Sequence, residues 1–248
     1  MTPSLWTVAS GAVAALGRLD AAAQNLANVN TTGYKAERPV FRLRSDAGAP
    51  TDPADPVARH LGGPVVEIER RRDFGQGSIH ETGDPLDVAI EGDGFFVVNT
   101  PKGPRYTRAG QFEVDDEGFL ATPDGHRVQG DGDLRIGNGT PAIAADGSIT
   151  VDGAPVGTLK IVSFGDKPAL VPEGAGLYAP ASRSVVPTPL DARDVTVTQG
   201  ALEAANVDAV SGLVELVDVS RGYEQYMKAI ERMDQLTQRS INEVGRVG

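Results

Sequence analysis

Near the start of the chain Leu5, Ala12, Leu19 and Leu26 recur every seven residues, and Val8, Ala15, Ala22 and Val29 follow three positions behind them. This is the spacing of a helix with one apolar seam, held for more than three heptads. The far end repeats it: Leu216, Tyr223 and Ile230 alternate with Val219, Tyr226 and Met233, and Leu213 broadens the stripe. Pro3 suits a first helical turn, and Asp208 or Ser211 can cap the second helix. The spacing predicts a C-terminal helix over about 206–244, on the order of 50 Å long. Neither seam can stay in water on an isolated helix. The pattern therefore predicts that the two helices pair as a coiled-coil-like rod, with leftover apolar surface buried against further copies.

Between the ends the periodicity changes. "LDVAI", "GFFVV", "TLKIVSF" and "DVTVTQG" run or alternate as strands do, and Asp-Gly and Glu-Gly pairs such as those in "VDDEGFLA", "TPDGHRVQG" and "ADGSITVDG" supply turns between them. "VVEIERRRDF" reads as one long strand, and the proline-rich "APTDPADPVARHLGGP" as an extended loop. The expected fold is α+β, with long N- and C-terminal helices paired as a coiled-coil-like rod and a central antiparallel β domain. The expected organisation is a core helix and its stop at 1–35, an extended connector at 36–84, and a β domain at 85–181. A returning connector at 182–205 and a second core helix at 206–248 complete it.

The first helix should end in "LANVNTTGYK". Asn28, Asn30, Thr31 and Thr32 offer side-chain hydrogen bonds to the freed backbone groups. Gly33 can take the left-handed conformation that ends a helix, and Tyr34 and Lys35 then lead the chain outward. Asn25 and Asn28, three apart on one face, can cap locally or bond neighbouring copies.

The 248 residues carry a formal charge of −11, which argues against general binding to nucleic acid or anionic membrane. The chain has no cysteine, so disulfides, thiolate chemistry and cysteine metal sites are excluded. Nothing approaches the ~18 consecutive apolar residues of a membrane span. The opening residues have no cation before Arg18 and continue with helical period, so a retained helix is expected instead of a cleaved signal peptide. His60, His80 and His126 are isolated, and no phosphate-cradling glycine loop or nucleophile elbow occurs. Asp131 and Asp133 begin like a calcium loop, but Arg135 takes its fifth position. Asp84, Asp87, Glu91 and Asp93 are carboxylates at hairpin ends without an aromatic sugar platform, which makes glycan hydrolysis a poor reading. No catalytic residue, metal or cofactor is expected.

Three stretches carry a resemblance. "NLANVNTTGYKAERPVF", "GDPLDVAIEGDGFFVVNTPKGPRYTRAGQFEVDDEGFLATPDGHRVQG" and "QGALEAANVDAVSGLVELVDVSRGYEQYMKAIERMDQL" resemble, in this order, the N-terminal, central and C-terminal signatures of the bacterial flagellar rod and hook family. The resemblance implies a structural subunit of the basal-body rod, in its proximal stretch, with a distal-rod or hook subunit as the alternative. A finite, non-polymerising binding module is the reading from another class. The implied assembly positions are Leu5, Val8, Ala12, Ala15, Leu19, Ala22, Leu26, Val29, Leu213, Leu216, Val219, Tyr223, Tyr226, Ile230 and Met233. The implied partners are other copies of the chain, other rod proteins and the flagellar export apparatus, with no nucleic acid and no small-molecule substrate. The implied place is the periplasmic section of the rod, reached by type III export.

Overall fold

A computed structural model describes the backbone of residues 3–44, 65–165, 167–190 and 195–244, and the side chains of 7–42, 67–165, 167, 169–190 and 195–239. The proline-rich loop expected at 49–64 lies outside the described residues. The chain divides into two compact units: Met1–Leu26, Glu37–Arg71 and Ala209–Gly248 in one, Ala27–Ala36 and Arg72–Asp208 in the other.

The first unit holds the long helices. Helix α1 spans Pro3–Ala27 and α2 spans Ala209–Val244, 25 and 36 residues. Strands β1 (Glu37–Arg44) and β2 (Val65–Arg72) form a two-stranded sheet. The sheet packs on α1: a Cβ added at Gly17 would lie 2.8 Å from Cδ1 of Ile68, and the Arg18 guanidinium sits 5.2 Å from the Phe41 ring centroid. Among the described side chains of α1 the buried ones are alanines, Ala12, Ala15, Ala21 and Ala22.

The expected coiled-coil-like rod is not present, and two features explain why. Of the seam positions on α2, Leu213 is 53 % and Tyr226 39 % exposed, and Leu216, Val219, Tyr223, Ile230 and Met233 are only half-buried, so none is a seated knob. On α1 three of the eight seam positions, Ala12, Ala15 and Ala22, are alanines, too short to fill a partner's holes. The Tyr226 ring does lie against Gly11, where an added Cβ would come within 2.5 Å. Around that contact, however, lies an open groove of about 740 Å³ lined by Val8, Gly11, Ala15, Val219, Tyr226 and Ala229. A heptad period reports an apolar stripe; what covers the stripe depends on side-chain size.

The second unit is built from short strands. They are β3 (Ile79–Glu81), β4 (Val88–Glu91), β5 (Phe95–Thr100), β6 (Gly103–Thr107), β7 (Glu113–Val114), β8 (Leu120–Ala121), β9 (Pro141–Ile143) and β10 (Ser148–Val151). They continue with β11 (Ala154–Thr158), β12 (Ile161–Ser163), β13 (Leu170–Gly174), β14 (Leu177–Pro180), β15 (Thr188–Pro189), β16 (Thr196–Gln199) and β17 (Ala201–Glu203). The largest sheet has the order β13-β14-β6-β5-β12-β15; β11-β10-β9 form a second, and β16-β4, β17-β3 and β7-β8 are pairs. All of these registers are antiparallel, as with Phe96 opposite Thr107 and Ile161 opposite Phe96.

The run Phe95-Phe96-Val97-Val98 is wholly buried because β5 has a core on each face. Phe96 and Val98 join Val88, Ile90, Leu120 and Ile149 in the larger core, while Phe95 and Val97 join Phe74, Tyr106, Phe164 and Tyr178 in a smaller aromatic one. Its rings meet edge to face at centroid distances of 4.8–6.1 Å. Between β10 and β11 the loop is Asp152-Gly153, with φ of 50° and 83°, the positive pair that a tight two-residue hairpin requires.

Candidate assembly surface and a buried clasp

Helix α1 stops earlier than its heptads suggest. It ends at Ala27, and hydrogen bonds from Thr31 N to Asn28 O (3.0 Å) and from Tyr34 N to Thr31 O (3.2 Å) wind the chain through two turns. Gly33, at φ 66°, is six residues past the helix, so its left-handed backbone shapes the exit and does not cap the last helical turn. An added Cβ there would lie 2.4 Å from Ala109 N and Arg108 C. Glycine is required twice over, by conformation and by contact.

Asn25 clamps the backbone of Glu37 in the same unit: its Nδ2 donates to Glu37 O (2.9 Å) and its Oδ1 accepts from Glu37 N (2.7 Å). Of the other stop residues, Thr31 Oγ1 donates to Asn28 Oδ1 (3.3 Å), Asn30 is exposed, Thr32 is half-buried and Tyr34 is buried. On α1, Ala12, Ala15 and Ala22 are buried, whereas Val8, Leu19, Leu26 and Val29 are half-buried; the Leu5 side chain lies outside the described residues.

Sequence reasoning missed the centre of the second unit. Lys35 and Glu203 are both fully buried, and Lys35 Nζ donates to Glu203 Oε1 at 2.6 Å and to Gly75 O at 2.8 Å. Glu203 Oε1 also accepts from Gly77 N (2.8 Å), and Oε2 from Arg108 Nη1 (3.2 Å). Arg108 Nη2 donates to Gly92 O (2.6 Å), its guanidinium lies 5.4 Å from the Phe95 ring centroid, and its buried Nε has no partner. Backbone and amide bonds extend the contact: Gly33 N to Glu203 O (2.7 Å), Ala36 N to Asn206 Oδ1 (2.7 Å), and Asn206 Nδ2 to Asp73 O (2.8 Å). Outgoing residues Gly33–Ala36 and returning residues Glu203–Asn206 are thus clasped together around one buried carboxylate. Burial holds the Lys35 ammonium below its usual pKa against the opposing pull of Glu203, and burial also lowers Arg108.

The carboxylates considered for hydrolysis are engaged elsewhere. Thr82 donates to Asp87 (2.6 Å), Thr198 to Glu91 (2.8 Å), and Lys167 pairs with Asp93 (2.6 Å). These bonds brace hairpin ends; they do not aim two acids into one cleft.

Beside the clasp, burial pushes the Tyr178 phenol up to about 12, and burial raises Tyr106 as well. With a folded value above the unfolded ~10, Tyr178 stabilises the fold fully below pH ~10 and loses that contribution as pH rises through ~12. Lys35 acts in the opposite sense: its folded value is lowered, so the cost of its buried charge is relieved as pH approaches 10.5. Thermal melts of the full chain across alkaline pH should fall over the 10–12 window. Tyr178→Phe should flatten that fall by up to about 2–3 kcal/mol; an unchanged slope would show that Tyr178 does not cause it.

Three family models match the chain in order. A basal-body rod protein model matches residues 5–35, a flagellar hook protein FlgE/F/G D1 domain model 89–155, and a basal-body rod FlgEFG C-terminal model 198–243. The flagellar basal-body rod protein FlgF of Caulobacter vibrioides is 33% identical over 92% of this chain and 92% of its own length. FlgG of Agrobacterium fabrum is 33% identical over 94% of this chain and 96% of its own, and FlgF of Mesorhizobium japonicum 31% identical over 99% of each. The chain therefore belongs to the bacterial flagellar basal-body rod and hook family, a structural component of the rod and not an enzyme.

Proposed function

We propose that this chain is a subunit of the proximal rod that polymerises through the exposed faces of α1 and α2. The observation that carries the reading is α2 itself. Val210, Leu213, Val214, Val217, Met227 and Leu236 are each at least 38 % exposed, a continuing cost in water that contact with other rod subunits removes. The half-buried seam positions on both helices are the remaining assembly residues in this reading. The proximal place follows the resemblance of the three signature stretches, and export through the type III apparatus into the periplasm accompanies it in this reading. The basal-body rod protein FlgG relatives are of equal identity, so a distal-rod subunit is the second reading.

The test is Leu213→Asp with Val217→Asp at the chromosomal locus. Both residues are exposed in the subunit, so the fold should survive while each acid meets a dry interface. Swimming should be lost and basal bodies should lack a completed rod, with normal amounts of subunit in the cell. Swimming at the parental rate would sink the proposal.

A further inference from the structure

The chain's charge is segregated between its two units. Residues of the β unit include 21 acids and 11 cations, a net of −10, while the helical unit has 13 and 12, a net of −1. Nearly all of the −11 thus belongs to the part without the long helices. Five of the eleven cations of the β unit are, moreover, paired inside it. Lys35 and Arg108 are buried on Glu203, Arg105 pairs with Glu173, Lys167 with Asp93, and Arg127 with both Asp115 and Glu117. Glu113, Asp116, Asp124, Asp131 and Asp133 are exposed within one stretch that has only Arg127 and Arg135 as cations. Arg135 lies 5.9 Å from the Phe119 centroid, and Arg127 stacks on the same ring at 4.2 Å.

We propose that the β units repel one another and hold copies of this chain apart until salt screens them, so that self-association is gated by ionic strength. This rests on the reading that copies associate through the helices. Attraction then resides in the nearly neutral helical unit, whose apolar contacts are not weakened by salt, and repulsion resides in the β unit. The screening length is ~30 Å at 0.01 M and ~8 Å at 0.15 M salt. At the lower concentration two such bodies feel each other across a gap of ~30 Å; at the higher one only across ~8 Å. Added salt should therefore strengthen association, the reverse of its effect on oppositely charged partners.

The experiment is sedimentation and static light scattering of the full chain in ~0.01 M and ~0.15 M NaCl. The comparison is a variant carrying Asp116→Asn, Asp124→Asn, Asp131→Asn and Asp133→Asn. These side chains are exposed, and asparagine preserves their turn chemistry. The parent chain should associate at a concentration about tenfold lower in the higher salt, and the variant should lose most of that difference. Equal salt shifts in parent and variant, or weaker association in higher salt, would overturn the proposal. If no association occurs at any salt, the polymer reading fails instead, and the second virial coefficient decides the electrostatic one. A strongly positive parental value that drops with salt and drops less in the variant upholds repulsion; values alike in both chains overturn it.

Discussion

Glu203→Ala is expected to cost the full chain about 3–5 kcal/mol, because it leaves two buried cations facing each other without a counter-charge. Lys35 Nζ and Arg108 Nη1 both lie on the Glu203 carboxylate, at 2.6 and 3.2 Å, and Gly77 N loses its acceptor at the same time. Thermal unfolding should fall by roughly 6–20 °C on that basis. Lys35→Met should cost less, since Glu203 keeps Arg108 and the methionine stem refills the volume. Glu203→Gln separates a charge clasp from simple packing: it keeps the volume and removes the charge, so a clasp makes it nearly as costly as Glu203→Ala, whereas packing makes it nearly neutral. A Glu203→Ala chain within about 1 kcal/mol of the parent would show that the clasp carries little.

Gly33→Ala should have an effect of similar size by a different route. The left-handed backbone costs alanine about 1–2 kcal/mol, and overpacking adds about 1–3. Here the new Cβ meets backbone, Ala109 N and Arg108 C at 2.4 Å, which cannot swing aside as a side chain would. The hydrogen bond from Gly33 N to Glu203 O is displaced with it. Urea unfolding of the full chain would measure the loss, and a midpoint equal to the parent's would refute the required approach at residue 33. In cells the same variant should reduce swimming through loss of folded subunit, which immunoblotting would register as lower abundance.

The parts of this architecture that were legible in the sequence are those written in local pattern. Helices α1 and α2 follow from their seven-residue periods, the Asp152-Gly153 hairpin from its dipeptide, and β5 from four consecutive large apolar residues. Gly33 was legible as a left-handed glycine, but its role was not. The helix ends at Ala27, and the conformation at Gly33 serves a close backbone approach to Arg108–Ala109 that no local pattern announces. The clasp was illegible for a related reason. Lys35 and Glu203 are 168 residues apart, and each looks like an ordinary surface charge beside its neighbours. The paired coiled coil failed because periodicity was allowed to stand for packing. Alanines at 12, 15 and 22 keep the period of a seam without the bulk of one.

The central claim is that the exposed apolar face of α2 is covered in the rod by neighbouring subunits. Cryo-electron microscopy of purified basal bodies, at a resolution that shows side chains, tests it most directly. The account predicts this chain in the proximal rod, with Leu213, Val214 and Val217 packed against α-helices of adjacent subunits. A rod in which those residues face solvent or the open channel, or from which this chain is absent, would contradict it.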